Sequence, residues 1–387
     1  MGTRIAPFAF LLIILAACSV TVSPSPSVDI VSPSPTASAT AIPPTATPVP
    51  TAMPGGVYAF TVAGQMAPAL ANLKPLVYVP NEAGGDVTVI DPATFKIIDR
   101  FKAGASPEHI TPDWDLSKLY VNNMSSSDMT IIDPITSKPI GTIPVPYPYN
   151  LYFSMDGSKA IVVDDFLTRQ FIHNNGLYFY DRKTWKLIKF LEIPYPGVDH
   201  LDFSADGSYM IMSAETAGEV VKVDVAKMEI TGALSVGGSP LDVRLDPGGK
   251  LFYIANQGTG GVDVVDGDSM KLVEFIKTDK GAHGIGMSRD ATRMFVTNRI
   301  AGSISVIDLA TRTITATWNV GGSPDMVATS IDGSQLWVSN RYNGTVIVLD
   351  STTGAILATI RTGANPHGLA FWPQPGRYSL GHNGNMR

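Results

Sequence analysis

The fold is decided by three short runs in one stretch of the chain: Leu336-Trp337-Val338-Ser339-Asn340, then Gly344-Thr345-Val346-Ile347-Val348-Leu349-Asp350, then Ile356-Leu357-Ala358-Thr359-Ile360. Together the runs are rich in Val, Ile and Thr and are bounded by Gly, Asn or Asp, which predicts three strands. A fourth strand follows a Gly-x-x-Pro corner such as Gly238-Ser239-Pro240 and turns at an Asp-Gly hairpin such as Asp332-Gly333. The sequence therefore predicts a unit of four antiparallel strands.

This unit recurs seven times along the chain. Its clearest marker is an aspartate after an apolar run: Asp91, Asp133, Asp181, Asp224, Asp266, Asp308 and Asp350, spaced by 42, 48, 43, 42, 42 and 42 residues. Repeats of this length built from four strands are typical of β-propellers. We therefore predict an all-β chain whose residues 56–387 form a seven-bladed β-propeller of four-stranded antiparallel blades.

The phase of the repeats predicts how the ring closes. The first repeat begins with a second strand, Leu76 to Val79, and the last ends with a first strand, His367 to Phe371. Pairing of these N- and C-terminal segments in one blade would leave no free sheet edge at the seam. An extra strand is expected at Val57 to Val62, and the tail from Arg377 to Arg387 is expected to pack beside a blade.

The second strands resemble those of a known family. Leu119-Tyr120-Val121-Asn122-Asn123, Met294-Phe295-Val296-Thr297-Asn298 and Leu336-Trp337-Val338-Ser339-Asn340 look like the motif of YVTN-type β-propeller repeats. The resemblance covers Leu76 to Gly376 and implies the seven-bladed fold. More distantly, the chain is similar to the haem d1-binding propellers of cytochrome cd1 nitrite reductases and to lactonase-type propellers. The resemblance does not imply a particular function, because β-propellers support many activities.

Composition and motifs exclude several classes of function. A formal charge of −6 argues against a protein that binds nucleic acid through its phosphates. The single cysteine excludes internal disulfides and c-type haem attachment. Signatures of nucleophile-elbow hydrolases, helical zinc proteases and P-loop nucleotidases are absent from the sequence. No catalytic residue is assigned, and a role without catalysis is favoured.

The N-terminal segment predicts export and lipid anchoring. Residues 1–17 hold an apolar run after Arg4 that is too short for an ordinary membrane-spanning helix, which is typical of a signal peptide. The run ends in Leu15-Ala16-Ala17-Cys18, which resembles the bacterial lipobox, so Cys18 is the predicted lipidation site. Residues 18–55 are rich in Pro, Ser and Thr and are expected to form a disordered linker. The predicted location is extracytoplasmic, anchored to the bacterial cell membrane or surface.

Two repeated columns are interpreted as structural. Each marker aspartate precedes a turn, where its carboxylate can accept backbone N–H groups. Asn81, Asn122, Asn256, Asn298 and Asn340 end second strands, where an amide can bind the loop backbone.

A third pattern predicts a ligand- or partner-binding site at one mouth of the channel. First strands line a propeller channel, and four of the six histidines fall in the two positions after the Gly-x-x-Pro corners. Loops at the same end add Arg and Tyr side chains, and an insertion between Asp164 and Leu177 adds one more Arg. The predicted site comprises His109, Asp199, His200, Asp242, His283, Asp325, His367, Arg299, Arg341, Tyr342 and Arg169.

These residues leave two hypotheses open. The first is a binding or scaffold module for an unknown protein or small molecule, attached to the membrane through Cys18. The alternative is an enzyme or cofactor protein that uses the same face, either a lactonase-like hydrolase or a propeller that binds a metal or a haem d1-type tetrapyrrole. No cofactor is assigned. A polar mouth that simply surrounds ordered water explains the same pattern without a ligand.

Overall fold

The computed structural model describes residues 56–168 and 171–387, and it describes their side chains except those of 166–168 and 171–174. The predicted signal peptide, Cys18, the linker up to residue 55 and Arg169 lie outside the described residues. All described residues belong to one compact unit. No helix among them is long and apolar enough to span a membrane.

The described residues form seven antiparallel sheets, which are the blades of a propeller. Blade 1 contains β1 (Leu76–Asn81), β2 (Asp86–Asp91) and β3 (Lys96–Lys102). Blade 2 contains β4 (Pro107–Pro112), β5 (Leu119–Asn123), β6 (Asp128–Asp133) and β7 (Lys138–Pro144). Blade 3 contains β8 (Pro148–Phe153), β9 (Lys159–Thr168), β10 (Phe171–Asp181) and β11 (Leu187–Glu192). Blade 4 contains β12 (Val198–Phe203), β13 (Tyr209–Ala214), β14 (Glu219–Asp224) and β15 (Glu229–Ser235).

The later blades follow the same order. Blade 5 contains β16 (Pro240–Leu245), β17 (Leu251–Asn256), β18 (Gly261–Asp266) and β19 (Lys271–Lys277). Blade 6 contains β20 (Ala282–Met287), β21 (Arg293–Asn298), β22 (Ser303–Asp308) and β23 (Thr313–Asn319). Blade 7 contains β24 (Pro324–Thr329), β25 (Gln335–Asn340), β26 (Thr345–Asp350) and β27 (Ile356–Arg361). Three short strands end the chain: β28 (Ala370–Trp372), β29 (Ser379–Gly381) and β30 (Asn385–Met386).

The ring closes as the repeat phase predicts. β28 pairs antiparallel with β1, with Leu76 opposite Trp372 and Tyr78 opposite Ala370. The innermost strands contact their neighbours in a cycle, and the cycle closes between β28 and β4. Inner strands are buried on both faces because blades pack against each other, whereas outer strands such as β15 alternate between exposed and half-buried residues. The fold class predicted from the sequence is confirmed.

The two structural columns are also confirmed, except that Asn123 and not Asn122 ends the second strand of blade 2 and binds Asp128 and Thr130. Asp308 Oδ1 accepts hydrogen bonds from the Thr311 backbone N–H and hydroxyl, both at 2.8 Å. Asn298 Nδ2 donates to the hydroxyls of Ser303 and Ser305, which lie on the next strand. These side chains hold turns and loops in place, so neither column forms a functional ring.

One segment departs from the expected secondary structure. The segment near Val57 contains a 3-10 helix, Gly56–Tyr58, and no strand, and a second 3-10 helix follows at Pro68–Leu70. The insertion between Asp164 and Leu177 lengthens β9 and β10 into a hairpin, because Phe171 pairs with Thr168. Further 3-10 helices lie at Glu82–Gly84, Arg341–Asn343 and His382–Gly384.

The C-terminal tail packs beside blade 3, as expected, and it does so at the inner edge of that sheet, inside the channel. β29 and β30 form a hairpin, and Gly381 pairs with Tyr152 on β8, the innermost strand of blade 3. The guanidinium of Arg387 binds both carboxylate oxygens of Asp202 at 3.0 and 3.2 Å, and Asn385 Nδ2 donates to the same carboxylate at 2.9 Å. The channel end opposite the Gly-x-x-Pro corners is therefore filled by the chain's own last residues.

Candidate functional site

The site begins at the mouth with two arginines on loops between second and third strands. Arg341 opens a 3-10 helix after β25, and its Nη2 lies 2.6 Å from the Glu82 carboxylate. Arg299 follows β21, and its Nη2 donates to Asp325 Oδ1 at 2.6 Å and contacts His283 Nε2. Both side chains are about 15% exposed, so they form the outermost layer of the site.

Asp325 is the centre of this mouth network, which we define as Glu82, Glu108, His283, Arg299, Asp325, Arg341 and His367. Its Oδ1 also lies 2.8 Å from His283 Nδ1, and its Oδ2 lies 3.5 Å from Arg341 Nη1. Burial opposes ionisation of this carboxyl, but the neighbouring His283 and Arg299 outweigh it and hold the pKa of Asp325 well below its usual range. The carboxylate is therefore ionised and binds groups from two blades.

Glu108 and His367 form a buried pair beside this centre. His367 Nδ1 lies 2.6 Å from Glu108 Oε2, and both side chains are at most 2% exposed. Burial raises the pKa of Glu108 to about 8, against the opposing effect of Arg341. Burial and the charge of Arg341 keep the pKa of His367 well below its usual value. The pair is thus neutral at pH 7, and the second nitrogen of His367, Nε2, has no hydrogen-bond partner.

Deeper in the channel, four imidazole rings contact each other. His109 is the common neighbour: its ring centroid lies 5.2 Å from that of His200, 4.5 Å from that of His367 and 4.8 Å from that of His382. All four rings are fully buried. Burial lowers the pKa of His109 well below its usual value and that of His382 to about 3, so both rings are neutral.

Two carboxylates flank the rings. His200 Nδ1 lies 2.6 Å from Asp199 Oδ1, and this carboxylate raises the pKa of His200 although burial opposes the charged ring. Asp242 Oδ2 accepts the Ile285 backbone N–H at 2.8 Å, and Asp242 Oδ1 lies 3.6 Å from His382 Nε2. Arg244 lies 3.5 Å from Asp242 and lowers the pKa of that carboxyl against the effect of burial. Anionic oxygens therefore lie beside a group of imidazoles from several blades.

The structure brings nine of the predicted site residues into one connected region. They are His109, Asp199, His200, Asp242, His283, Arg299, Asp325, Arg341 and His367. Tyr342 is 65% exposed and lies outside the network, with its ring 6.0 Å from the guanidinium of Arg341. The predicted site was for a ligand or a partner, and its histidines and aspartates are buried inside the channel.

Sequence reasoning missed the residues that the tail contributes. His382 and Asn383 lie among the channel histidines, where Asn383 Oδ1 is 3.2 Å from His109 Nδ1. Glu82 and Glu108 were not chosen either, although Glu108 immediately precedes His109 at the corner. The alternation of polar residues at the Gly-x-x-Pro corner could have identified Glu108. The tail lies outside the repeat, so the repeat pattern gives no signal for His382.

A family model that describes a YNCE-like beta-propeller matches residues 46–374. The chain belongs to the YNCE-like beta-propeller family. This confirms the YVTN-type resemblance predicted from the second strands. A search of curated proteins finds no match for this chain.

Solved structures similar to this YNCE-like propeller include proteins of several functions. A Kuenenia stuttgartiensis hydrazine synthase chain has 18% identity and a TM-score of 0.62, covering 71% of this chain and 92% of its own. A functionally unknown protein from Desulfotomaculum acetoxidans has 15% identity and a TM-score of 0.66, with coverages of 76% and 98%. The dihydro-haem d1 dehydrogenase NirN, solved with DHE, has 17% identity and a TM-score of 0.57, with coverages of 83% and 82%. At these identities the similarity shows the fold alone.

Proposed function

We propose that this YNCE-like propeller is a lipid-anchored, extracytoplasmic binding protein that captures a small ligand in its channel. One observation carries this proposal: buried polar atoms without hydrogen-bond partners converge inside the channel. They include Nε2 of His109, His200 and His367 and Oδ2 of Asp199. Buried polar atoms in folded proteins are nearly always paired, so a cluster of unpaired ones favours a ligand or ion that supplies the missing partners.

The burial of these groups favours a small ligand over a protein partner. His109, His200 and His367 are fully buried and Asp199 is 2% exposed, so a protein surface docked on the mouth does not reach them. A small molecule or ion enters past Arg299 and Arg341, which are the partly exposed groups of the mouth network.

The spacing of the imidazoles also bears on the size of the ligand. Their ring centroids lie 4.5–5.2 Å apart, which is direct contact between rings. A tetrapyrrole bound through these histidines would have to separate the rings and displace the tail. An ion or a ligand of a few atoms fits between the nitrogens with only side-chain rotation.

The anchoring part of the proposal rests on the sequence. Leu15-Ala16-Ala17-Cys18 follows a short apolar run, and the next 36 residues hold nine prolines. An acylated cysteine carrying two or more chains gives stable membrane attachment, and a Pro-rich segment acts as an extended spacer. The propeller would then stand away from the bilayer with its channel accessible to ligands outside the cytoplasm.

Metabolic labelling tests the anchor. Wild-type chain and Cys18→Ser are expressed in a bacterium with an alkyne-bearing fatty acid, and membranes are separated from soluble fractions. We expect label and membrane recovery for the wild type and neither for Cys18→Ser. Equal labelling of the two chains would overturn the anchoring at Cys18.

Native mass spectrometry tests ligand capture. The protein is extracted under non-denaturing conditions, and its mass is compared before and after unfolding. We expect a non-covalent adduct in the wild type that is lost on unfolding and is depleted in Asp325→Ala. Arg377→Ala removes an exposed charge from the tail and serves as the control that keeps the adduct. A wild-type mass equal to that of the acylated polypeptide alone would refute capture at the mouth.

A further inference from the structure

Three histidines meet one residue deeper than the mouth network. His109 lies on β4, His200 lies on β12, and His382 comes from the C-terminal tail. One ring nitrogen from each lies within 4.8 Å of the other two. Two of the residues come from blades separated along the ring and the third from outside the repeats, so only the folded chain creates this group.

Each of the three rings is oriented by an oxygen at its Nδ1 atom. The pairs are His109 with Asn383 Oδ1 at 3.2 Å, His382 with Asn150 Oδ1 at 3.0 Å, and His200 with Asp199 Oδ1 at 2.6 Å. An oxygen at Nδ1 accepts the Nδ1 proton and leaves the lone pair on Nε2. This is the arrangement that orients histidine ligands around protein-bound metals.

The Nε2 atoms of the same three rings are buried and have no hydrogen-bond partner. An imidazole whose proton is on Nδ1 presents a lone pair at Nε2, and three such lone pairs close together repel one another unless a positive group lies between them. One water molecule has two hydrogens and satisfies at most two of the three nitrogens. A cation accepts all three lone pairs at once, and this favours an ion over ordered water at this position.

We propose that His109, His200 and His382 form a binding site for a divalent transition-metal ion such as Zn²⁺. Imidazole nitrogens select zinc, copper and nickel over calcium and magnesium, which prefer oxygen ligands. Zinc bound by three histidines keeps a fourth position for water or another ligand. Asp242 Oδ1 lies 3.6 Å from His382 Nε2 and supplies negative charge beside the ion.

The donor spacing fits such an ion after small rotations. Tetrahedral zinc with bonds of about 2.0–2.1 Å places two nitrogen ligands about 3.4 Å apart. The nitrogens of the three rings already lie within 4.8 Å, so the largest closing movement is about 1.4 Å. Imidazole rings on fixed strands achieve this by rotation about their side-chain bonds.

Because His382 belongs to the tail, metal binding also holds the tail in the channel. The Arg387–Asp202 ion pair fixes the end of the tail. The contact of Asn383 with His109 fixes the tail four residues earlier. A metal bound by His382 and two blade histidines adds a third attachment. Binding of a metal at this site therefore stabilises the docked conformation of the tail.

This inference deepens the proposed function, on which it rests for the idea of a channel ligand, by naming the ligand class. The test uses the full chain, stripped of metal by a chelator and titrated with ZnCl₂ in competition with a chromophoric zinc indicator. We expect one Zn²⁺ per chain and an increase in Tm with zinc concentration, because a ligand that binds only the folded state stabilises it.

Single substitutions locate the site. We expect His200→Ala and His382→Ala to lower zinc affinity at least 100-fold, since each removes one of three ligands. Asn256→Ala is the control: it removes a buried side chain that binds Gly237 and Asp263 in the structural column and leaves zinc binding within about threefold of the wild type. Circular dichroism and thermal unfolding verify that each variant is folded. If His200→Ala does not fold, His382→Ala decides, because its residue lies outside the blades.

The outcomes separate this inference from the proposed function. A folded wild-type chain that binds no zinc, or variants that bind it as tightly as the wild type, would overturn the metal site. The mouth adduct that depends on Asp325 is measured independently. A wild-type chain that binds zinc but shows no other adduct in its native mass would refute mouth capture and leave the three-histidine site standing.

Discussion

Arg387 anchors the tail, and its replacement by Met tests whether the tail is an integral part of the propeller. Its side chain is 4% exposed and Asp202 is fully buried, so the substitution removes one partner of a buried ion pair. Breaking such a pair generally costs about 3–5 kcal/mol, because the remaining charge loses its counterion. Asp202 keeps three donors, namely Asn385 Nδ2 and the backbone N–H groups of Phe203 and Leu245. We therefore expect a loss at the lower end, about 3 kcal/mol.

Equilibrium urea unfolding measured by tryptophan fluorescence gives the change in free energy of unfolding. Hydrogen exchange of the backbone amides of residues 379–387 detects undocking of the tail without global unfolding. Arg377→Met is the control, since Arg377 lies in the same tail but is exposed. A free energy loss below about 1 kcal/mol, together with unchanged exchange in the tail, would refute the anchoring role.

Three further predictions follow from the fold and the mouth. Trp372→Ala, in the closing strand and 1% exposed, lowers the free energy of unfolding by about 3–5 kcal/mol in urea titrations, and a loss below about 1 kcal/mol contradicts the closure. The pKa of Asp308 is lowered by the backbone N–H of Thr311, so its carboxylate stabilises the folded state above the unfolded pKa and this stability is lost as the pH falls. Asp308→Ala is therefore less stable than wild type at pH 7, and in urea titrations the difference shrinks as the pH falls below the unfolded pKa of about 3.9; a constant difference contradicts this assignment. Asp325→Asn leaves Arg299 and His283 without their shared anion and lowers Tm at pH 7, and an unchanged Tm removes Asp325 from the centre of the network.

Most of the fold could be predicted from the repeat pattern. An aspartate such as Asp308 recurs at nearly constant spacing because each blade uses the same turn, and turn chemistry is local. Strand alternation and the Gly-x-x-Pro corners are local too. The pairing of Leu76 with Trp372 was predictable because it depends only on where the repeat begins and ends.

The site was predictable in part. Positions after the corners identified His109 and His200, since corresponding positions of a circular repeat face one axis. Their depth was not predictable, because burial depends on how tightly neighbouring blades pack and on what fills the channel. The charge states of Glu108 and His367 also required the structure, since both depend on burial and on Arg341, which comes from another blade.

The sequence by itself determined seven four-stranded blades, their closure and a ring of polar residues at the corners, because each depends on local pattern and on the count of repeats. Only the tertiary structure decided that the tail fills the channel and brings His382 between His109 and His200. The tail has no repeat to specify its place. Its position follows from contacts with Asp202 and Tyr152, residues far from it along the chain, and such contacts exist only after the ring has formed.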